Sequence, residues 1–290
     1  MPINSKVKYL PQALIFVCSS GLTLYSVASS ALPLSSNSQP NGPKATIDQF
    51  RIHGIKAFGS NEQDILRQWL AAGVNATRKT LGIYPRPLEL YVYPKKSNQP
   101  VPWAHTRRDR HESIHFYVDA RYSLDKFTED WTIYHEIAHL AIPFVGEDYA
   151  WFSEGFASYM QYQIMAQSGV LTLSLEQAYL NKIAPHLYLF QNEQSAASIA
   201  TQLMKKRKFP AAYWGGAWFF MVADQQLKTK HNTSLSYIIS RYQQAGRRED
   251  DSIQALLTSL DKLINDSLFS DLLNQFEQAP ASSLYPSTLN

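Results

Sequence analysis

The 290-residue chain has a single cysteine, Cys18. A disulfide framework is therefore excluded, and stability has to come from a buried core. Charge of one sign is also lacking: 27 Lys and Arg stand against 24 Asp and Glu, for a net +3. Two of those positive charges, Lys6 and Lys8, sit at the extreme N-terminus. Nothing in the whole-chain charge points to nucleic acid. No unit recurs at a period of roughly 20–50 residues, which excludes a solenoid. No charged residue occurs from Tyr9 through Pro43, and low complexity is confined to that end.

That uncharged stretch follows Lys6 and Lys8 with "ALIFVCSSGLTLYSVASSA", an apolar run that ends in small residues. The order predicts a signal peptide over residues 1–31, with Ser29 and Ala31 suited to cleavage after Ala31. The alternative is an uncleaved membrane anchor over Leu10–Leu34, with Pro11, Pro33 and the many serines against it. A lipid-modified Cys18 is disfavoured by Val17, which stands where a small residue is expected. Residues 32–44 read as a flexible linker. With no further break in composition, residues 45–290 are expected to form a single domain. The protein is thus expected to be exported, periplasmic or secreted, and membrane-bound only if the leader is retained.

Hydrophobic periodicity predicts a helix over Asn61–Leu81, behind a Ser60/Gln63 capping box. "LELYVYP" (Leu88–Pro94) and "SIHFYVDA" (Ser113–Ala120) read as strands, with Lys95–Arg110 as a loop. From Phe127 onward the pattern is helical: Thr128–Ile142, Ala150–Gln167, Leu175–Gln191, Ser195–Lys206, Tyr213–Leu227, Leu235–Gln244, Ile253–Ile264 and Leu268–Phe276. The expected fold class is α+β, a small N-terminal sheet followed by a predominantly helical domain.

The chemistry concentrates in "YHEIAHLAIPFVGEDYAWFSEGFASYM", Tyr134–Met160. His135 and His139 are one turn apart on one helix face, so both imidazoles can reach one metal ion. Glu136, rotated by about 100°, can flank that ion without binding it and take a proton from activated water. Trp131, Ile133, Ala138 and Ala141 mark the helix as packed inside the molecule, where unpaired polar groups are costly. A catalytic zinc needs a third protein ligand and an open position. Glu154, early in the next helix and surrounded by Trp151, Phe152 and Phe156, is the candidate. Read only as packing, Glu154 would favour a helix N-terminus, and Tyr213 further on would be one more core aromatic.

"HEIAHL" followed by "WFSEGFA" resembles the gluzincin metallopeptidases, especially the aminopeptidase N-like branch. Those enzymes follow an H-E-x-x-H helix with W-x-x-E-G-[FL]-[AT]. The match falls on His135, Glu136, His139, Trp151, Glu154, Gly155, Phe156 and Ala157. The resemblance implies a thermolysin-like zincin catalytic fold, Zn2+ on His135, His139 and Glu154, and Glu136 as general base. It extends to "YWGGAWFF", which is similar to the family's Y-x-x-G. That implies Tyr213, with Gly216 after it, as hydrogen-bond donor to the oxyanion. The family's G-x-M-E-N, whose glutamate holds a substrate amine, is missing. "RHESIHFYV" stands in the corresponding place, with Glu112 the only nearby acid, so endopeptidase and aminopeptidase both stay open. That strand can still pair with an extended substrate through its backbone.

The expected function is therefore an exported zinc metallopeptidase acting on peptide or protein. The alternative is a non-catalytic, zinc-stabilised binding or assembly protein. The basic clusters Arg107–Arg110 and Lys205–Lys208 read as solvated loops. His105, His111 and His115 read as ordinary polar residues rather than as a second metal site.

Overall fold

Period-two alternation makes the sheet. In β2 (Leu88–Pro94), Leu88, Leu90 and Val92 are buried, while Glu89, Tyr91 and Tyr93 point to the opposite face. The computed structural model describes residues 50–108, 112–246 and 252–287, all within one compact unit, Thr46–Asn290. The expected signal peptide, the expected linker, Cys18, Arg110 and His111 lie outside the described residues. β2 pairs in parallel with β1 (Phe50–His53) and with β4 (Glu112–Val118). β3 (Trp103–Arg108) pairs antiparallel with β4, giving the order β1-β2-β4-β3.

Two of these strands depart from the sequence expectation. β1 was not anticipated, and β3 lies inside the span read as a loop. The residues of β3, "WAHTRR", follow Pro100 and Pro102 and show no apolar alternation. Pairing with β4, not intrinsic preference, makes them a strand. The open edge moves as a result. β4, expected to be the strand facing a substrate, is interior, and β3 is the edge. On the face away from the core, His53, Tyr91, His115 and His105 stack in one row across all the strands, at centroid spacings of 4.4, 4.6 and 5.0 Å. His105 and His115 are thus stacked sheet residues, and His115 also bonds Tyr93 and Ser113.

The buried face of the sheet packs on α1 (Ser60–Leu81). Leu66, Trp69, Leu70, Val74 and Leu81 are buried at helical spacing, and Trp69 meets Phe116 of β4 edge-on at 5.2 Å. The predicted capping box is displaced by one residue: Gly59 is the N-cap, and its N–H donates to Glu62 Oε2 at 2.9 Å. The helix expected over Thr128–Ile142 is two, α2 (Leu124–Glu129) and α3 (Thr132–His139). Asp130 is extended and accepts from the Thr132 N–H at 2.9 Å, so it stops one helix and starts the next. Trp131 is not a packing residue as expected; it is 48% exposed.

α4 (Ala150–Gln167) has the expected limits. α5 (Leu175–Ile183) is shorter than expected because Pro185 opens a 3-10 turn over Ala184–Phe190. α6 is Ala196–Lys205. α7 (Phe209–His231) starts a turn before Tyr213, since Pro210 is tolerated in a first turn. α8 (Leu235–Gln244), α9 (Ile253–Ile264), α10 (Leu268–Gln278) and the short α11 (Ala281–Leu284) follow among the described residues. The fold class is α+β, a small mixed sheet followed by a mostly helical domain, as the periodicity implied. No helix among the described residues is long and apolar enough to cross a membrane.

Candidate metal centre

All eight residues of α3 are buried, although three of them are His135, Glu136 and His139. The helix is wedged between α1 and the sheet edge. A Cβ on Gly73 of α1 would lie 2.3 Å from Ile133 Cδ1 and 2.7 Å from its Cγ1, so a larger residue there would require the Ile133 side chain to move. After His139 the helix tightens: the Leu140 and Ala141 N–H groups turn back to the Ile137 and Ala138 carbonyls. Tyr84 Oη donates to Ile137 O at 2.8 Å. Arg108 of β3 donates to the carbonyls of His139 and Ile142. The basic cluster read as a solvated loop therefore contributes, in Arg108, a cap on the carbonyls at the end of this helix.

His135 and His139 converge as the spacing predicted, with their Nε2 atoms 3.2 Å apart. Glu154 Oε2 lies 3.2 Å from His135 Nε2 and 3.5 Å from His139 Nε2. Among the described residues these three form the one such group, with ligand atoms all within 4.8 Å of one another. Gln161, two turns beyond Glu154 on α4 and 3% exposed, accepts from the other ring nitrogen, His135 Nδ1, at 3.0 Å. That bond fixes the tautomer whose free Nε2 faces the cluster, as an outer partner of a metal-binding imidazole does.

Glycines bring Glu154 to Tyr213. α4 and α7 cross where Gly155 meets Gly216. A Cβ on Gly155 would stand 2.4 Å from the Gly216 carbonyl carbon, and one on Gly216 would stand 2.2 Å from Trp151 O. Only two residues without side chains allow this backbone contact. Glu154 precedes one of them, and Tyr213 is one turn before the other. The Tyr213 ring lies parallel to His135 at 6.2 Å.

The electrostatics favour a cation. Burial alone would raise the Glu154 carboxyl, but the charges and hydrogen bonds of His139 and His135 outweigh it and hold it far below its ordinary range. Burial pushes His135 down, yet Glu154, Glu136 and Gln161 together carry it above the usual histidine value. Tyr213 is pushed well up, first by burial and then by the charges of Glu154 and Glu136, so its hydroxyl stays protonated and able to donate. A pocket that stabilises an imidazolium beside a carboxylate stabilises a divalent cation in the same place, with proton release on binding. Two imidazole nitrogens and one carboxylate oxygen from rigid helices are a zinc-type donor set, so the residues fit the metal that the motif implies.

Glu136 is 8% exposed, and its Oε2 accepts from Thr106 Oγ1 of β3 at 3.0 Å. A cleft of about 820 Å³ runs from Ala104, Thr106 and Arg108 of β3 across the three candidate ligands to Phe209 and Tyr213 of α7. All five residues singled out from the sequence, His135, Glu136, His139, Glu154 and Tyr213, line this one cleft. Glu112 does not; it pairs with Arg108 at 3.4 Å. Sequence reasoning missed Thr106, Arg108 and Gln161. Only Gln161 carried a signal, as a polar residue two turns from Glu154 on the same face of α4.

The sequence matches no protein-family model and no curated protein. Among solved structures it is similar to an M1 zinc metallopeptidase from Deinococcus radiodurans bound to a Tyr-Ser-Ala substrate, at 15% identity and a TM-score of 0.49. That match covers 72% of this chain and 44% of the other. A two-domain M1 zinc metallopeptidase bound to L-arginine matches at 16% identity and a TM-score of 0.49, over 80% of this chain and 46% of that one. This chain thus spans less than half the length of these structures.

Proposed function

We propose that this protein is an exported, zinc-dependent peptidase. One observation carries the reading: His135, His139 and Glu154 converge, with Glu136 beside them at the floor of a cleft bounded by an open strand edge. His135, His139 and Glu154 would hold the metal. Zinc bound there supplies Lewis acidity, which makes water a nucleophile near neutral pH and polarises a carbonyl oxygen. The remaining work falls to the chain's own groups. The open edge of β3 offers backbone N–H and C=O groups to an extended peptide and lays it across the cleft. Glu136 takes the proton of the attacking water and delivers it to the departing amine. Tyr213, kept protonated, donates to the oxygen on which negative charge develops. Burial of α3 keeps these groups fixed, so little reorganisation accompanies the reaction.

β3 has no carboxylate to hold a substrate's free amine, and among the described residues Asp130 and Glu147 are the remaining acids along the cleft. A fluorogenic peptide library with free and blocked N-termini tests the function and the mode of cleavage together. Cleavage that is abolished by chelator and restored by zinc is the expected outcome. Equal rates on blocked and free peptides would mark an endopeptidase. A zinc-loaded protein that cleaves no member of the library would instead support the non-catalytic binding role.

A further inference from the structure

We propose that Thr106 is a positioning residue that aims the carboxylate of Glu136; the inference rests on the peptidase reading above. Glu136 sits on the buried helix α3, but its carboxylate reaches into the cleft, where a glutamate side chain has several rotamers to choose from. Thr106, on edge strand β3, faces it. Its Oγ1 lies 3.0 Å from Glu136 Oε2 and 3.2 Å from the Glu136 carbonyl oxygen. One hydroxyl proton shared between these two oxygens ties the tip of the side chain to its own backbone. It thereby selects one rotamer and turns one carboxylate oxygen to the strand, leaving the other for the proton in flight.

The support behind Thr106 is rigid. β3 is paired with β4 along its length, with Thr106 opposite Ile114. Two residues further on the same face of β3, Arg108 grips the His139 and Ile142 carbonyls at the end of α3. One strand therefore sets the height of the helix and the direction of its glutamate. Thr106 is β-branched, which restricts χ1 and holds the hydroxyl in place. Valine has the same shape without the hydroxyl. Serine has the hydroxyl without the methyl group.

This pair of substitutions separates positioning from packing. A packing role predicts that Thr106→Val is harmless and Thr106→Ser is the damaging change, because only serine removes volume. A positioning role predicts the reverse. On the best peptide found with the zinc-loaded protein, Thr106→Val is expected to lower kcat by about tenfold to a hundredfold, the loss of one hydrogen bond to a charged group. KM should stay within about twofold and zinc content at the wild-type level, because the Thr106 hydroxyl bonds none of the three candidate ligands and the substitution leaves the backbone of the strand in place. Thr106→Ser should recover kcat to within about threefold of wild type. In a Glu136→Gln background, Thr106→Val should cost nothing further, since the proton acceptor it aims is gone. Wild-type kcat in Thr106→Val, or serine performing no better than valine, would overturn the proposal. A Glu136→Gln protein that still turned over at the wild-type rate would instead overturn the base assignment itself, so the two failures are distinguishable.

Discussion

Glu136→Gln is expected to lower kcat by about a hundredfold to ten-thousandfold on any peptide the protein cleaves, the range for loss of a general base. Zinc content should not change. Glutamine keeps the length and shape of glutamate, and its side-chain oxygen can still accept from Thr106 Oγ1. What it loses is the capacity to take a proton near neutral pH. The metal ligands are other residues, and the negative charge that disappears is only a secondary influence on His135, after Glu154. Steady-state kinetics and metal analysis on the same preparation check this. A variant with full zinc and full activity would remove Glu136 from the proton path.

The second large effect concerns a residue that touches no substrate. Gly216→Ala should destabilise the protein by about 1–3 kcal/mol or more, as overpacking a close contact does. Helix propensity alone predicts the opposite sign, since alanine in the interior of α7 is worth about 1 kcal/mol over glycine. Packing wins because the new Cβ would meet Trp151 O at 2.2 Å, an atom of backbone that cannot swing aside. The helices α4 and α7 must part. Glu154 and Tyr213 sit beside the crossing, so their separation grows with it. The expected result in thermal and denaturant unfolding is a lower midpoint, at about 2–4 °C per kcal/mol for a domain of this size. Activity should fall further than the unfolded fraction explains. An unchanged or raised midpoint would show that the helices do not meet as described.

The candidate metal site was the most legible part of the sequence because helices carry their geometry in their spacing. Residues at i and i+4 must share a face, so His135 and His139 needed only the helix to form. Glu154 and Tyr213 were legible through their motifs, and the motif glycines have a mechanical meaning in the structure: Gly155 and Gly216 are the point of contact between two helices. The strand edge was not legible. Nothing in "WAHTRR" alternates between apolar and polar, and β3 exists because β4 offers it hydrogen bonds across the sheet. With β3 hidden, Thr106 and Arg108 could not be connected to α3, and the substrate-facing edge was assigned to β4. Asp130 was equally hard to see, since its role as a stop and a start lies inside a run of helical residues. Local periodicity reports which face of an element is buried. It says little about what lies opposite in space.

The account depends most on three side chains holding one ion. Zinc stoichiometry after exhaustive dialysis, measured on the wild-type protein and on Glu154→Ala, tests that directly. The expected result is one zinc ion per chain retained by the wild type, and a ligand-deleted variant that gives up its zinc under the same dialysis. Equal retention by both proteins, or a wild-type chain that binds no zinc at all, would contradict the account.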